Sequence, residues 1–343
     1  MSCYVIAEAG VNHNGSEQFA LELVDAAAAA GANAVKFQTF RAETLVSKSA
    51  ATAEYQKQQT GRDDQYSMLK KLEITDELHQ KLIEHCRKYD IEFMSTAFDL
   101  EAAKFLIELG VDKLKVPSGE LTNLSFIRDL AAFNKSMILS TGMSSLEEVK
   151  EAVEAVQEER KERGFSEPLA NVLTILHCTS NYPARVEDVN LKAMQTMAEE
   201  LELPVGYSDH TDGIFVSVAA VALGARVIEK HFTLDRSLPG PDQKASLEPE
   251  ELELLVQQIR QIEACLGDGV KAPRDSELPV RELVRRSVTL ATNKEAGEAI
   301  EFEDLALLRP GTGIAPKHLN DVVGKRLKST MEAGSVLTWY DIT

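Results

Sequence analysis

YVIAEAGVNHNG, residues 4–15, decides between the two folds open to a chain of alternating strands and helices. Tyr4 to Ala9 is a β-rich apolar run interrupted by one carboxylate, Glu8, and the amphipathic stretch SEQFALELVDAAAAAG (16–31) follows it as a helix. A doubly wound open sheet would carry a GxGxxG phosphate loop at this first turn, and AGVNHNG does not fit that pattern. The remaining solution is a closed barrel.

The same alternation continues outward to about residue 266. Strands are predicted at AVKFQTF (34–40), IEFMSTAF (91–98), KLKVPS (113–118), SMILST (136–141), VLTILHCT (172–179), LPVGYSD (203–209) and RVIEKHF (226–232). Helical patterns such as TDELHQKLIEHCRKY (75–89) and SLEEVKEAVEAVQEERKERG (145–164) separate them, and PEELELLVQQIRQIEACLG (249–267) is the last. Eight strands, each followed by a helix or helical turn, predict a (β/α)8 TIM barrel over residues 1–267. A linker rich in Pro, Gly and charge spans 268–287, and residues 288–343 read as a small β-rich domain. Within that tail EAGEAIEFEDL (295–305) and EAGSVLTWYDI (332–342) share one pattern, so each EAG is predicted to form a turn in a domain with internal two-fold character.

A chain of 343 residues suits one large domain plus a small one, and 44% hydrophobic with 27% charged residues is an ordinary globular composition. A net charge of −18 argues against nucleic acid or an anionic membrane as partner, because phosphate binding needs a basic face. Cys3, Cys86, Cys178 and Cys265 are widely spaced, without a CxxC pair, which suggests neither a disulfide framework nor a zinc knuckle and points to a cytoplasmic protein. The N-terminus has no basic n-region, and the longest apolar stretch, near IFVSVAAVALGA (214–225), is too short to span a bilayer.

In a barrel of this kind the reactive groups sit where strands end. Polar residues fall at those places: Glu8 on the first strand, Lys36 and Gln38 on the second, Ser95 and Thr96 on the third, Lys115, Ser118 and Glu120 on and after the fourth. Ser140 and Thr141 close the fifth, His177 to Tyr182 the sixth, Ser208 to His210 the seventh, and Glu229 with His231 the eighth. Lys36 alternates with Val35 and Phe37, and Lys115 with Leu114 and Val116, so both ammonium groups are expected inside the barrel. With Ser118, Ser140 and Ser208 they would cradle a small multiply charged anion, such as a phosphate ester that also carries a carboxylate. The competing reading pairs each lysine with an inward glutamate, Glu8 or Glu120.

The stretch ARVIEKHFTLDRSLPGPD (225–242) places Glu229 and His231 on one face of a buried strand. His210 ends the neighbouring strand, so two imidazoles with Glu229 nearby would suit a divalent metal with open positions for substrate. Asp209 would orient His210 from behind or serve as a turn carboxylate.

Taken together, IAEAGVNHNG, VKFQTF, LKVPSGE, ILSTGM, ILHCTSNYP, GYSDHT, VIEKHFTLD, PGPD and RPGTG resemble the N-acetylneuraminate (sialic acid) synthase family, which includes the N,N'-diacetyllegionaminate synthases. The tail resembles the antifreeze-like (SAF) domain of that family. The resemblance implies condensation of phosphoenolpyruvate with N-acetylmannosamine in its open-chain aldehyde form, giving N-acetylneuraminate and phosphate. The alternative substrate is 2,4-diacetamido-2,4,6-trideoxymannose. It further implies that Lys36, Thr96, Lys115, Ser118, Ser140 and Ser208 hold phosphoenolpyruvate, and that Gln38, Tyr182, Asp242 and Arg309 contact the sugar. His210 and His231 would hold Mn2+, with Mg2+ or Co2+ as substitutes, and Glu8, Glu120 or Glu229 would stabilise the cationic centre or deprotonate water. Arg309 would act from the partner subunit of a domain-swapped homodimer. Ala97, Asn181 and Gln243 depart from the usual pattern of proline, glutamate and histidine, and the last two adjoin sugar-contacting positions. Readings of another class are a Schiff-base aldolase on Lys115, a metal-dependent hydrolase, and a non-catalytic sugar-binding protein.

Overall fold

The computed structural model describes residues 2–47 and 64–343. They fall into two compact units, Met1–Gly267 and Asp268–Thr343.

In the first unit eight parallel strands close into a barrel in sequence order. They are β1 (Tyr4–Gly10), β2 (Ala34–Thr39), β3 (Glu92–Ala97), β4 (Lys113–Val116), β5 (Ser136–Ser140), β6 (Leu173–Cys178), β7 (Val205–Asp209) and β8 (Val227–His231). β1 pairs with both β2 and β8, which closes the ring and leaves no sheet edge. Local chemistry starts the helices: Ser16 accepts from Phe19 N–H, Thr75 from Leu78 N–H, and Ser145 forms a capping box with Glu148.

Alternation along the strands separates two cores. The outward residues, such as Val5, Ala7, Val35, Phe37 and Leu139, pack against the helices. The inward residues Ile6, Ala34, Met94, Ile138, Leu176 and Val227 form a dry layer that plugs the barrel. Two residues further along those same strands come Glu8, Lys36, Thr96, Ser140, Cys178 and Glu229, so the layer above the plug is polar throughout. Gly206 permits this packing, because a Cβ there would lie 2.3 Å from the Val227 carbonyl oxygen.

The turn after β1 buries His13 completely, with Nδ1 accepting from Gly15 N–H at 3.1 Å. Burial, reinforced by His79, pushes the His13 imidazole down to about 4. The folded state therefore prefers neutral His13, while the unfolded chain takes up a proton near pH 6.5. No stability is lost above that pH; as pH falls from 6.5 toward 4 the fold loses stability, the loss reaching ~2 kcal/mol at pH 5. We expect His13→Asn, whose amide oxygen can replace the Nδ1 acceptor, to flatten the pH dependence of the melting temperature between pH 7 and 4.5. An unchanged slope would show that His13 does not carry it.

The second unit has its own core of Val288, Leu290, Ile300, Ile314, Val322, Leu327, Leu337 and Ile342. Strands β9 (Ser287–Leu290) and β10 (Leu305–Leu308) pair antiparallel. Both EAG segments turn as the repeat predicts: Glu298 N–H bonds the Glu295 carbonyl, Ser335 N–H bonds the Glu332 carbonyl, and Gly297 and Gly334 take φ of 84° and 89°. The stretch expected as a linker is more ordered than its Pro and Gly content suggests. It groups with the second unit and contains the helix Leu278–Val284, whose first turn accommodates Pro279 because no intrahelical N–H is needed there. Among the described residues no helix is long and apolar enough to cross a membrane.

Candidate active site

A cavity of about 590 Å³ opens at the carboxyl ends of the barrel strands. Its floor is an array of buried charges from four strands. Lys36 Nζ lies 2.6 Å from Glu8 Oε2 and 3.6 Å from Glu229 Oε2, and donates to Thr96 Oγ1 at 2.9 Å. Lys115 Nζ is 3.2 Å from Glu229 Oε1, which also accepts from Ser208 Oγ at 3.0 Å. Both lysines point inward, as alternation predicts, and each is paired with a glutamate. The pairing that competes with anion binding is thus present, with Glu229 rather than Glu120 as the partner of Lys115, because buried ammonium groups need buried counter-charges.

The two carboxylates differ in charge state. Burial pushes Glu229 up, but Lys115 and Lys36 together outweigh it and hold that carboxyl at about 2. Burial also acts on Glu8, where Lys36 only partly offsets it and Glu229 adds to it, so Glu8 rises to about 7. Burial, opposed mainly by Glu229, depresses the Lys115 ammonium. Asp242, buried after the Pro-Gly-Pro turn, is raised to about 6 by burial.

His210 and His231 meet at the rim, with ring centroids 5.6 Å apart. Tyr182 stacks its ring 4.0 Å from that of His210. His210 Nδ1 is 2.8 Å from the Thr179 carbonyl oxygen, which fixes its tautomer and leaves Nε2 for the site. His231 Nδ1 is buried without a hydrogen-bond partner among the described residues. Burial, and then the neighbouring His210, keep the His231 imidazole well below its ordinary value and hence neutral. Burial lowers the His210 imidazole, but Cys178 and the Thr179 carbonyl outweigh it and raise it, so the two adjacent imidazoles, with Nδ1 of His231 orphaned, would suit a divalent transition metal once His210 has given up its proton.

Glu229 turns Oε1 to Lys115 and Ser208 and Oε2 toward Lys36 at 3.6 Å. Among the described residues no cluster of three or more His, Cys, Asp or Glu side chains is placed to hold a metal.

Of the residues singled out from the sequence, Glu8, Lys36, Gln38, Thr96, Lys115, Ser118, Ser140, Tyr182, Ser208, His210, Glu229, His231 and Asp242 all line this cavity. Glu120 is not among the lining residues; it lies in the turn Ser118–Glu120, where its carboxylate accepts from Asn123 Nδ2 at 2.8 Å. Arg309 is an exposed residue of the second unit. His177 bonds the Val189 carbonyl at 2.7 Å and does not line the cavity. Gln243 also stays out of it, using its amide to hold the Asn12 carbonyl, and Asn181 is exposed.

Cys178 and Ser180, which belong to the His177 to Tyr182 stretch placed at the end of the sixth strand, also line the cavity, although no role was assigned to them. The signal for Cys178 was present, since it follows the inward Leu176 by two residues. Ser180 is brought in by close packing: a Cβ on Gly142 would lie 2.1 Å from Ser180 Oγ.

A family model described as the NeuB family matches residues 23–271, and one described as the SAF domain matches residues 285–343. A Legionella pneumophila protein named N,N'-diacetyllegionaminic acid synthase is 54% identical over 343 residues, covering 100% of this chain and 95% of the relative. A Campylobacter jejuni protein of the same name is 47% identical over 322 residues, covering 94% of each chain. The crystal structure of N-acetylneuraminic acid synthetase from Leptospira borgpetersenii, in complex with citrate, superposes with a TM-score of 0.72 at 36% identity, covering 82% of this chain and 90% of that one.

Proposed function

The chain belongs to the NeuB family and is an enzyme; we propose that it condenses phosphoenolpyruvate with 2,4-diacetamido-2,4,6-trideoxymannose, giving N,N'-diacetyllegionaminate and phosphate. N-Acetylmannosamine, the first expectation from sequence, gives way to this sugar because identity is 54% over 343 residues to a diacetyllegionaminic acid synthase and 36% over 82% of this chain to the N-acetylneuraminic acid synthetase of known structure. The observation that carries the chemistry is the joining, in one cavity, of two buried lysines to a pair of adjacent imidazoles.

Lys36 and Lys115 would exchange their glutamate partners in part for the carboxylate and phosphate of phosphoenolpyruvate, with Ser118, Ser140, Ser208 and Thr96 donating hydroxyls. Gln38, Tyr182 and Asp242 would hold the sugar, with Arg309 reaching it from the partner of a domain-swapped dimer. A divalent cation, Mn2+ on the family resemblance, would be held by His210 and His231 and would polarise the sugar aldehyde toward attack by the enol carbon.

Burial raises two carboxyls of the cavity, Asp242 to about 6 and Glu8 to about 7, and of these we assign Glu8, beside Lys36 on the cavity floor, as the general base. It titrates near neutrality, whereas Glu229 stays ionised and balances the lysines. Glu8 would take the proton from the water that adds to the cationic carbon left after bond formation. Collapse of that tetrahedral centre breaks the bond to the phosphate oxygen and expels phosphate.

Phosphate release tests the proposal directly. We expect kcat/KM for the diacetamido trideoxy sugar to exceed that for N-acetylmannosamine by ~10²-fold, since a site built for a second acetamido group leaves polar groups unpaired with the wrong sugar. Equal or reversed preference would overturn the sugar assignment. No phosphate release with either sugar would overturn the condensation itself.

A further inference from the structure

On the outer face of β7 and β8, behind the two imidazoles, lies a buried ion pair that the chemistry above does not use. Asp209 and Lys230 immediately precede His210 and His231 and are register partners across the two strands. Both side chains are fully buried, with Lys230 Nζ 3.1 Å from Asp209 Oδ2. Lys230 also donates to the Thr211 carbonyl. Asp209 Oδ1 accepts from Thr211 N–H at 2.9 Å and from Thr211 Oγ1 at 2.8 Å, and Oδ2 accepts from Ser217 Oγ at 2.6 Å.

Such a network is a poor choice for stability alone. Apolar residues of similar volume generally serve as well, because two charges must be stripped of water to form the pair. What it provides is geometric definition: Asp209 accepts three hydrogen bonds and the Lys230 ammonium besides, in one arrangement. The points it ties together bracket the metal-site candidates. On β7 it grips residues 209 and 211, on either side of His210; on β8 it grips residue 230, next to His231.

We infer that Asp209 and Lys230 are positioning residues for the imidazole pair, setting the separation and tilt of His210 and His231 and so the affinity of the site for a divalent cation. The inference rests on the reading of those histidines as ligands. A clamp on the backbone of both strands acts where side-chain contacts are few, since His231 Nδ1 has no partner of its own.

The test measures Mn2+ binding to the full-length protein, by the electron paramagnetic resonance signal of free Mn2+, alongside thermal melting. The double variant Asp209→Asn with Lys230→Met removes both charges together. We expect it to melt within ~5 °C of the unmodified protein, as isosteric replacement of a buried pair allows. Its Mn2+ affinity should fall 10- to 100-fold, the usual cost of losing support behind a ligand, with kcat partly restored at high Mn2+. Thr211→Val with Ser217→Ala keeps the charges and removes two of the donors to Asp209. A loss of ~3-fold or more is expected there, and this variant decides the matter if the first does not fold. A folded variant that binds Mn2+ within twofold of the unmodified protein overturns the inference alone, provided His231→Ala abolishes binding. Should the unmodified protein bind no Mn2+, the ligand reading falls and the inference with it.

Discussion

His231→Ala is expected to lower kcat/KM for the condensation by at least ~10³-fold while leaving the fold intact, because it would remove one of the two imidazoles proposed to hold the activating cation. The structural cost is small. Among the described residues His231 Nδ1 has no hydrogen-bond partner for alanine to remove, and the bond from Leu247 N–H goes to the His231 backbone carbonyl. The space vacated opens into the cavity, so no sealed void forms. A melting temperature within a few degrees of the unmodified protein, with phosphate release near background, is the expected pair of results. Activity within tenfold of the unmodified enzyme would remove His231 from the metal reading.

Lys115→Met is expected to reduce kcat/KM for phosphoenolpyruvate by at least ~10²-fold, with most of the loss in KM, because one of the two cations facing the substrate's carboxylate and phosphate is gone. Methionine preserves the buried volume. Glu229 loses its partner at 3.2 Å but keeps Lys36 at 3.6 Å and the Ser208 hydroxyl at 3.0 Å, so the stability loss should stay below the 3–5 kcal/mol typical of an orphaned buried charge. The same residue separates two mechanisms. Its ammonium is depressed chiefly by burial, a property that a Schiff-base lysine also requires. If Lys115 acts as a cation only, borohydride traps no pyruvyl adduct on it during turnover. An adduct at Lys115 would replace direct attack by the enol carbon with Schiff-base chemistry.

Much of this site was legible along the chain because the alternation of a strand is local. Once AVKFQTF is a strand with Phe37 facing the helices, Lys36 must face the interior, and the same reasoning fixes Lys115, Ser208, Glu229 and His231. Glu120 was misplaced for the opposite reason. It lies beyond the last strand residue, in the turn Ser118–Glu120, where no two-residue period governs direction and Asn123 offers a nearer partner. Cys178 and Ser180 were placed with His177 to Tyr182 at the end of the sixth strand, but without a role, since beyond Cys178 the strand ends and no period says which side chains enter the cavity.

The order of strands and helices, the inward set of each strand and the adjacency of His210 and His231 thus follow from the sequence, since each depends on residues a few positions apart or on consecutive strands. Which charges meet does not. Glu229 of β8 reaches Lys36 of β2 and Lys115 of β4 only because the sheet closes on itself and staggers, bringing the interior positions of distant strands to one level. Barrel closure, acting through burial and these long-range pairings, is what holds Glu229 ionised and lets Glu8 titrate near neutrality.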